Sequence, residues 1–326
     1  MTLASVIVPT CNRQSCLSHA LDCLAAQQDP PDSFEVIVVD DGSDDGTWPW
    51  LQANLDAYPF ALRALRQPSQ GPAAARNRGL EAAQGEYVLF MGDDIYASPG
   101  LLARHLAWHA AYPDRWTAVV GQVRWAPDLR VTTLMRYLEQ GTQWCFEGLE
   151  PGDVLDYRWF ITANLSLRRA VLIEAGGFDE AFRDAALEDT ELGYRLWRQG
   201  LQIRYAPDAT ADHWHPTSLE SFVARSRKLG RAAVYLSRRW PELQPRLEDP
   251  EFWAADRPPV LRWLGIRLVR QGWLVNALLP LARWLACRPP DALQPWAGLI
   301  YSLVQRHNEL LGMASVDSIT SQEWCR

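Results

Sequence analysis

Short apolar runs alternate with segments of helical spacing over the first hundred residues, and this alternation constrains the fold more than any other feature of the chain. The runs at residues 5–8 and 35–39 are rich in valine and isoleucine, which is typical of strands buried on both faces. Two more predicted strands cover residues 61–65 and 86–91. The intervening segments have the spacing of helices, and they cover residues 15–27, 47–55 and about 72–83. This order predicts an α/β fold with a parallel sheet and right-handed crossovers.

The remainder of the chain changes character near Pro216. Three further elements are predicted before that point: a strand over residues 118–125, a helix over 190–199 and a strand over 201–205. A turn is predicted at Pro207. After Pro216 the pattern is helical, with proline and tryptophan scattered through it. We therefore expect an α/β domain over residues 1–220 and a C-terminal helical region over residues 221–326.

Polar or turn-forming runs follow three of the four strands predicted in the first hundred residues. They are residues 9–13 (Pro-Thr-Cys-Asn-Arg), 40–43 (Asp-Asp-Gly-Ser) and 92–94 (Gly-Asp-Asp). Ligands bind beyond the carboxyl ends of the strands in open parallel sheets, so these runs are expected to share one site. Aspartate and glycine also serve as ordinary turn residues. That explanation suits each run alone, but it accounts poorly for all three together.

Five acidic residues lie where they could do chemistry. Asp93 and Asp94 end a predicted strand, where a carboxylate pair can hold a divalent cation through its oxygen atoms. Asp41 ends the neighbouring strand and could accept hydrogen bonds from a base or a ribose. Glu188 and Asp189 lie at the start of a predicted helix, whose dipole favours a carboxylate there, so the pair offers a general base. The alternative for this pair is simple N-capping.

Histidine and arginine side chains add further candidates. His213 and His215 are two residues apart on an extended segment and so point to the same side, where one or both could join a metal site. Such a pair on a surface is more often inert. Arg76 and Arg78 lie on the helix that begins near Pro72, and either could form a fork on a diphosphate. Most helix arginines, however, simply face solvent.

The order of these motifs resembles that of the family 2 glycosyltransferases. The matching segments are residues 5–13 (SVIVPTCNR), 38–43 (VVDDGS), 71–79 (GPAAARNRG), 85–87 (GEY), 177–180 (GFDE) and 188–196 (EDTELGYRL). The likeness covers roughly residues 3–230. The ordered set is far more specific than any single motif within it.

The resemblance implies a GT-A fold, that is, a Rossmann-like and mostly parallel sheet flanked by helices, with residues 1–220 as the catalytic domain. It implies inverting transfer of a sugar from a nucleotide-diphosphate donor, with a UDP-sugar favoured. The acceptor would be a hydroxyl of a carbohydrate, a lipid-linked molecule or a protein. The implied cofactor is Mn2+ or Mg2+ on the diphosphate.

The same resemblance implies roles for individual residues. Asp189 matches the catalytic base, with Glu188 beside it. Asp94 matches the metal ligand, and the segment with His213 and His215 matches a metal or diphosphate contact. The donor-binding positions are Pro9, Thr10, Cys11, Asp41, Arg76 and Asp93. Among these, Asp41 matches the residue that hydrogen-bonds the base, and Asp93 resembles the residue near the ribose.

Two positions depart from the pattern of the family. Gly92 stands where the first acid of the DxD motif usually is, so we expect a metal site with one carboxylate, supported by histidine and the diphosphate. Cys11 stands where an aromatic residue often precedes Asn12. A stacking platform is therefore missing, and the identity of the base stays open.

Three other functions were weighed against glycosyl transfer. A catalytically degenerate GT-A protein that binds a nucleotide sugar or acts as a scaffold is compatible with the altered DxD motif. A nucleotidyltransferase should have a glycine-rich loop bearing lysine or arginine after the first strand, and a dinucleotide dehydrogenase should have GxGxxG there. Residues 9–12 match neither of these last two patterns.

Charge divides the chain and restricts its partners. The net charge of -7 argues against a nucleic-acid partner, which would require a basic surface. Residues 257–312, in contrast, contain seven arginines against Asp291 and Glu309, together with four tryptophans. A basic and aromatic helical region can lie on an anionic membrane surface. The alternatives are a subdomain packed on the catalytic domain and a homodimer interface.

The sequence gives no sign of export or of a membrane-spanning helix. Residues 5–8 follow no basic segment, and no stretch of about 18 uncharged apolar residues occurs. The six cysteines form no CxxC pair and no zinc-type cluster, so they fit reduced thiols in a cytosolic protein. We expect a cytoplasmic location, with association to the inner face of the cytoplasmic membrane as the alternative.

Overall fold

The computed structural model describes residues 3–28, 34–142, 144–243, 268–290 and 294–317, and these fall into two compact units. The first unit contains the described residues of Met1–Leu129 and Phe146–His215. The second contains those of Arg130–Cys145 and Pro216–Arg326. Arg130–Cys145 belongs to the second unit, although it lies in the sequence between the two parts of the first. The sequence pattern did not indicate this.

A nine-stranded mixed sheet forms the centre of the first unit. Its strands are β1 Ala4–Thr10, β2 Phe34–Asp41, β3 Ala61–Gln67, β4 Tyr87–Met91, β5 Ile95–Ala97, β6 Thr117–Trp125, β7 Val154–Leu155, β8 Asn164–Arg168 and β9 Gln202–His213. Their order is β3-β2-β1-β4-β8-β6-β9-β5, with β7 also paired to β9. Strands β3, β2, β1 and β4 are mutually parallel, and β6 is parallel to β9. The predicted α/β fold with a mostly parallel sheet is confirmed.

Helices connect the parallel strands as the sequence predicts. Those of the first unit are α1 Gln14–Ala25, α2 Thr47–Ala53, α3 Pro72–Ala82, α4 Leu101–Ala111, α6 Arg169–Glu174 and α7 Glu188–Trp197. Helix α7 begins two residues before the predicted start at residue 190. Glu188 and Asp189 therefore lie inside its first turn.

Close packing of α3 against the sheet depends on small residues. Gly71 precedes the helix with φ of 95°, and Pro72 occupies the first turn, where a missing N–H costs no helical hydrogen bond. Ala73 and Ala75 are fully buried in the core that joins the sheet to α3, α6 and α7. A Cβ on Gly79 would lie 2.5 Å from Ile7 Cγ2, so a larger residue would push the helix away from β1.

The predicted turn at Pro207 is wrong, because β9 runs through it to His213. The register between β6 and β9 shifts there: Gly121 pairs with Ala206, whereas Val123 pairs with Ala211. The extra residues of β9 form an irregular bulge, a place where proline is tolerated because no ladder hydrogen bond is lost. The bulge lets β9 resume pairing and carry His213 to the edge of the site.

The described part of the second unit is helical. Its helices are α5 Thr133–Tyr137, followed by a π-helical turn, and α8 Leu219–Arg239, α9 Gly272–Ala286 and α10 Gln294–Asp317. Helices α8 and α10 touch through glycine: a Cβ on Gly230 would meet the Glu309 carbonyl oxygen at 2.0 Å, and one on Gly312 would meet that of Arg227 at 2.1 Å. Within the described ranges, no helix combines the length and the apolar character needed to cross a bilayer.

Candidate active site

The sheet brings the three polar runs together, as predicted from the sequence. Strand β1 lies between β2 and β4, and all three are parallel. Their carboxyl ends therefore place residues 10–13, 40–43 and 92–94 side by side. Asn12 joins two of these ends: its backbone N–H donates to Ser43 Oγ at 2.9 Å, and its side-chain oxygen accepts from the Asp44 N–H at 2.8 Å. Asn12 has φ of 56°, a left-handed conformation that asparagine tolerates well.

Pairing of β5 with β9 adds two histidines to this edge. Ile95 is paired with His213, and the Trp214 N–H donates to the Asp94 carbonyl oxygen at 2.9 Å. His213 Nε2 lies 3.3 Å and His215 Nδ1 lies 3.1 Å from Asp94 Oδ2. The two imidazole rings are stacked with centroids 5.3 Å apart, which places them on one side of the segment as predicted.

Asp94, His213 and His215 form a cluster that could hold a metal ion. One ligand atom from each residue lies within 4.8 Å of the others. Asp94 and His213 are buried, and His215 is half-buried. Burial of Asp94 opposes its ionisation, but hydrogen bonds from the two histidines and the charge of Arg13 hold its pKa well below the usual range. An ionised carboxylate with two imidazoles is a suitable donor set for a divalent transition metal.

Arg13 belongs to this cluster, although the sequence analysis named it only as part of a motif. Its Nη1 lies 2.5 Å from Asp94 Oδ2 and 3.3 Å from Asp93 Oδ1. Its Nη2 lies 3.4 Å from His215 Nδ1. The signal that could have identified it is its place at the end of β1, the strand parallel to and paired with β4, which leads to the two acids.

Asp93 points to the β1 side of the same edge. Thr10 Oγ1 donates a hydrogen bond to Asp93 Oδ2 at 2.8 Å. Two of the residues predicted to bind the donor therefore contact each other. Burial, and then the neighbouring charge of Asp94, raises the pKa of Asp93 to about 6. Pro9 lies within β1, and Cys11 follows it as an exposed thiol whose pKa is raised by partial burial and by the charge of Asp41.

Asp41 organises the loop between β3 and α3. Its Oδ1 accepts from Gln67 Nε2 and from the Gln70 N–H, both at 2.8 Å, and its Oδ2 accepts from the Gly71 N–H at 2.9 Å. Ser69 Oγ lies farther away, at 3.4 Å. The carboxylate thus holds the loop that leads into α3, and its contact with a base stays a prediction.

Glu188 and Arg76 form a buried ion pair. Arg76 Nη1 lies 2.8 Å from Glu188 Oε1, and both side chains are at least nine-tenths buried. The guanidinium also lies over the Phe178 ring, 5.5 Å from its centroid. The second carboxylate oxygen, Glu188 Oε2, is buried without a hydrogen-bond partner among the described residues. The structure therefore brings Arg76 to Glu188.

Asp189 lies half-buried in the first turn of α7, with its Oδ1 accepting from the Thr190 N–H at 2.7 Å. Leu187, just before it, has φ of 63°. Branched apolar residues rarely adopt this left-handed conformation, and such strain is found preferentially at functional sites. The strained residue sets the direction in which Glu188 and Asp189 leave the preceding loop.

Comparison with known proteins identifies the family of this fold and site. The model of "Glycosyl transferase family 2" matches residues 5–158, and that of "Glycosyl transferase family group 2" matches residues 118–304. The chain belongs to the family 2 glycosyltransferases. It is 28% identical over 287 residues to validoxylamine A glucosyltransferase of Streptomyces hygroscopicus subsp. limoneus, covering 77% of this chain and 59% of that relative. The match thus spans about three-fifths of the length of that relative.

Solved structures show the same GT-A glycosyltransferase fold. Mannosyltransferase PcManGT from Pyrobaculum calidifontis, in complex with GDP-Man and Mn2+, matches with a TM-score of 0.61 and 20% identity over 94% of this chain and 86% of that one. S. aureus TarS 1-349, in complex with UDP-GlcNAc, matches with a TM-score of 0.58 and 19% identity over 97% of this chain and 92% of that one.

Proposed function

We propose that this family 2 glycosyltransferase moves a sugar from a nucleotide-diphosphate donor to an acceptor hydroxyl with inversion at the anomeric carbon. The observation that carries the proposal is the Asp94, His213 and His215 cluster at the carboxyl edge of a GT-A sheet. Two structural neighbours hold GDP-Man with Mn2+ and UDP-GlcNAc, which supports a nucleotide-sugar donor. We favour a UDP-sugar because Asp41, at the end of β2, matches the family position that hydrogen-bonds the donor base.

The donor atoms of the cluster favour Mn2+ over Mg2+. Mg2+ prefers an octahedron of oxygen ligands, whereas two of the three side chains here would offer imidazole nitrogen. Mn2+ accepts carboxylate oxygen readily and tolerates nitrogen better. A bound divalent cation would neutralise the charge that develops on the leaving diphosphate.

Asp189 is proposed as the general base. In the first turn of α7, where the helix dipole favours negative charge, its carboxylate would take the proton from the acceptor hydroxyl during attack on the anomeric carbon. The new glycosidic bond forms on the face opposite the leaving nucleoside diphosphate, so a single displacement inverts the configuration. The buried Arg76–Glu188 pair would keep the start of α7 in place.

Donor binding tests the proposal directly. Nucleotide sugars with uracil or guanine bases would be screened by thermal shift with Mn2+, with Mg2+ and with a chelator, because a ligand that binds the folded state raises the melting temperature. We expect a UDP-sugar with Mn2+ to give the largest rise. Asp94→Asn should abolish the metal-dependent part of the rise.

The matched control is Asp212→Asn. Asp212 lies on β9 beside His213 but is not part of the cluster, and it pairs instead with Arg124 of β6. It should bind donor like the wild type. Failure of every donor to stabilise the protein in the presence of metal would contradict the proposal. Donor binding without any turnover or donor hydrolysis would favour the degenerate binding protein instead.

We further propose that α9 of the second unit contacts an anionic membrane surface, which would suit a lipid-linked acceptor. Trp273, Leu281 and Trp284 are 70%, 45% and 48% exposed, and their spacing places them on one side of the helix. Arg288 lies over the Trp284 ring, 4.5 Å from its centroid. Exposed tryptophan beside arginine suits the boundary between lipid headgroups and acyl chains.

Charge supports the same assignment. The described residues of the second unit contain twelve arginines and lysines against five acids, whereas the whole chain has a net charge of -7. Anionic lipid attracts clustered arginine and lysine, with about 1 kcal/mol for each side chain near the surface. The apolar stripe and the positive charge thus favour the same partner.

A further inference from the structure

We propose that Arg13 is an internal counter-ion for Asp94, which makes binding of the divalent cation depend on the nucleotide. This inference rests on the proposed function, because it concerns the same cluster. It assigns a positioning role to a residue that makes no contact with the reacting atoms in the mechanism above.

Three groups converge on one carboxylate oxygen. Asp94 Oδ2 lies 2.5 Å from Arg13 Nη1, 3.1 Å from His215 Nδ1 and 3.3 Å from His213 Nε2. A metal ion bound by Asp94 and the histidines would need a lone pair of this oxygen or of its neighbour. It would also face the guanidinium at short range, where two positive charges in a partly buried site repel strongly.

The guanidinium stabilises the site while no cation is bound. Asp93 and Asp94 are adjacent and buried, and Arg13 contacts both of them. Two neighbouring carboxylates in a site that excludes water disfavour each other's ionisation, and one arginine between them offsets much of that cost. Arg13 and a divalent cation are therefore alternative positive partners for the same acid.

Arg13 has room to move without any change in the main chain. Its side chain is 37% exposed, whereas those of Asp93 and Asp94 are 9% and 12% exposed. The Arg13 carbonyl accepts from the Leu17 N–H at 2.9 Å, which fixes its backbone at the start of α1. A cavity of about 640 Å³ adjoins it, lined among others by Gln14, Ser18 and Asp45. The side chain can swing from Asp94 while its backbone hydrogen bond is kept.

The diphosphate of a bound nucleotide could accept hydrogen bonds from the Arg13 guanidinium once it has left Asp94. Arginine binds phosphate oxygens through two parallel N–H donors, which a single buried carboxylate oxygen does not allow. With a nucleoside diphosphate present, the negative charge of the ligand compensates both the arginine and the cation. The metal and the nucleotide should then each tighten the binding of the other by the same factor.

The experiment measures Mn2+ binding by electron paramagnetic resonance, with and without UDP, for four proteins. In the wild type we expect UDP to tighten Mn2+ binding on the order of tenfold, within the usual range of coupling between two sites. Arg13→Met should bind Mn2+ tighter than the wild type without UDP, and UDP should add much less. Arg13→Lys, which keeps the charge, should behave more like the wild type.

Arg66→Met is the matched control. Arg66 pairs with the buried Asp40 at the neighbouring strand end, with Nε to Oδ2 at 3.1 Å, and its side chain is similarly exposed at 43%. It should leave Mn2+ binding without UDP unchanged. Melting curves would confirm that each variant is folded, and Arg13→Gln replaces the methionine variant if that one is not.

The outcomes separate the two proposals. If Arg13→Met binds Mn2+ no tighter than the wild type and keeps the full effect of UDP, the counter-ion role is wrong while the metal site stands. If none of the four proteins binds Mn2+ even with UDP, the metal site of the proposed function is wrong. Equal tightening by Arg66→Met would show a general charge effect and would also overturn the role of Arg13.

Discussion

Asp189 and Glu188 are neighbours in the sequence, but their surroundings differ. Glu188 is buried and paired with Arg76, so its carboxylate is committed to the structure. Asp189 is half-buried in the first turn of the same helix. Using Glu188 as the base would break this buried ion pair, a loss that costs about 3–5 kcal/mol in other proteins, so Asp189 is the acid that we propose as the base.

The Asp189→Asn variant tests this division. Loss of a general base typically lowers turnover by about 10²–10⁴-fold, and the nearly isosteric amide should leave donor affinity unchanged. Turnover would be followed with the donor identified by thermal shift, and donor affinity by calorimetry. Glu174→Gln, which alters an exposed acid of α6, should keep normal turnover. An Asp189→Asn variant with undiminished turnover would exclude Asp189 as the base.

Single residues show how far the sequence could predict the candidate site. The motifs identified Asp93, Asp94 and both histidines, and the structure brings Asp94 and the histidines together. Arg13 escaped notice because an arginine at a strand end has no distinctive signature until the neighbouring strand is known. The contacts of Asp41 with the residues around Gly71 likewise depend on a loop conformation that no local pattern encodes.

At the scale of the elements, the sequence predicted the individual strands better than their pairing. The first four strands were predictable because β1, β2 and β4 contain continuous apolar runs and a helix lies between each strand and the next. The pairing of β5 with β9 joins segments more than a hundred residues apart, and the bulge around Pro207 was mistaken for a turn. Proline at a bulge and proline at a turn look alike in a single sequence.

Helix α4 is joined to β8 by a buried polar network that supports this part of the sheet. His105 Nδ1 and His109 Nε2 both lie 2.8 Å from Ser166 Oγ, and His105 Nε2 lies 2.9 Å from Asn164 Oδ1. Asn164 Nδ2 in turn donates to the Ala209 carbonyl within the β9 bulge at 2.8 Å. Burial lowers the pKa of His105 to about 4 and that of His109 to about 3.

These two shifts predict acid sensitivity. Between a pKa of about 6.5 and the lowered values, the unfolded chain binds protons that the folded protein does not, so stability falls as the pH drops below about 6.5. Each histidine should lower the free energy of unfolding at pH 5 by about 2 kcal/mol relative to neutral pH. The raised pKa of Asp93 acts in the opposite direction, because the folded protein binds that proton first, from about pH 6 downward.

A single variant isolates the contribution of one histidine. Between pH 7.5 and pH 5, the free energy of unfolding should fall by about 2 kcal/mol less for His109→Gln than for the wild type. This difference does not depend on the stability of the variant at neutral pH. Urea denaturation at several pH values measures this difference in slope. His19→Gln, at an exposed position on α1, serves as the control and should follow the wild type. Parallel curves for His109→Gln and the wild type would contradict the prediction.

The two compact units are each built from two separate stretches of the chain. The first unit ends at His215 and α8 begins at Leu219, whereas the domain boundary expected at residue 220 stays a prediction. Helix α5 packs with the later helices through contacts such as the hydrogen bond that Thr133 Oγ1 donates to the Leu285 carbonyl, at 2.6 Å. A contact across some 150 residues leaves no trace in the local pattern, so this segment could not be assigned in advance.

The proposed membrane contact of α9 is argued from properties of the molecule as a whole. An acidic chain with a basic second unit and an exposed tryptophan stripe should orient that unit toward an anionic surface. We expect the protein to float with vesicles of phosphatidylcholine and phosphatidylglycerol in equal parts, and much less with phosphatidylcholine alone. Added salt should weaken the flotation because it screens the attraction.

A double substitution separates this contact from nonspecific attraction. Trp273→Ser with Trp284→Ser removes the aromatic side chains and keeps every arginine, so a large loss of flotation would assign the contact to the stripe itself. Trp197→Ser removes an exposed tryptophan of the first unit, 44% exposed, and should float like the wild type. Equal flotation of all three proteins would remove the proposal. A wild type that is dimeric in light scattering, and a double variant that is monomeric, would assign the same face to a second copy of the chain.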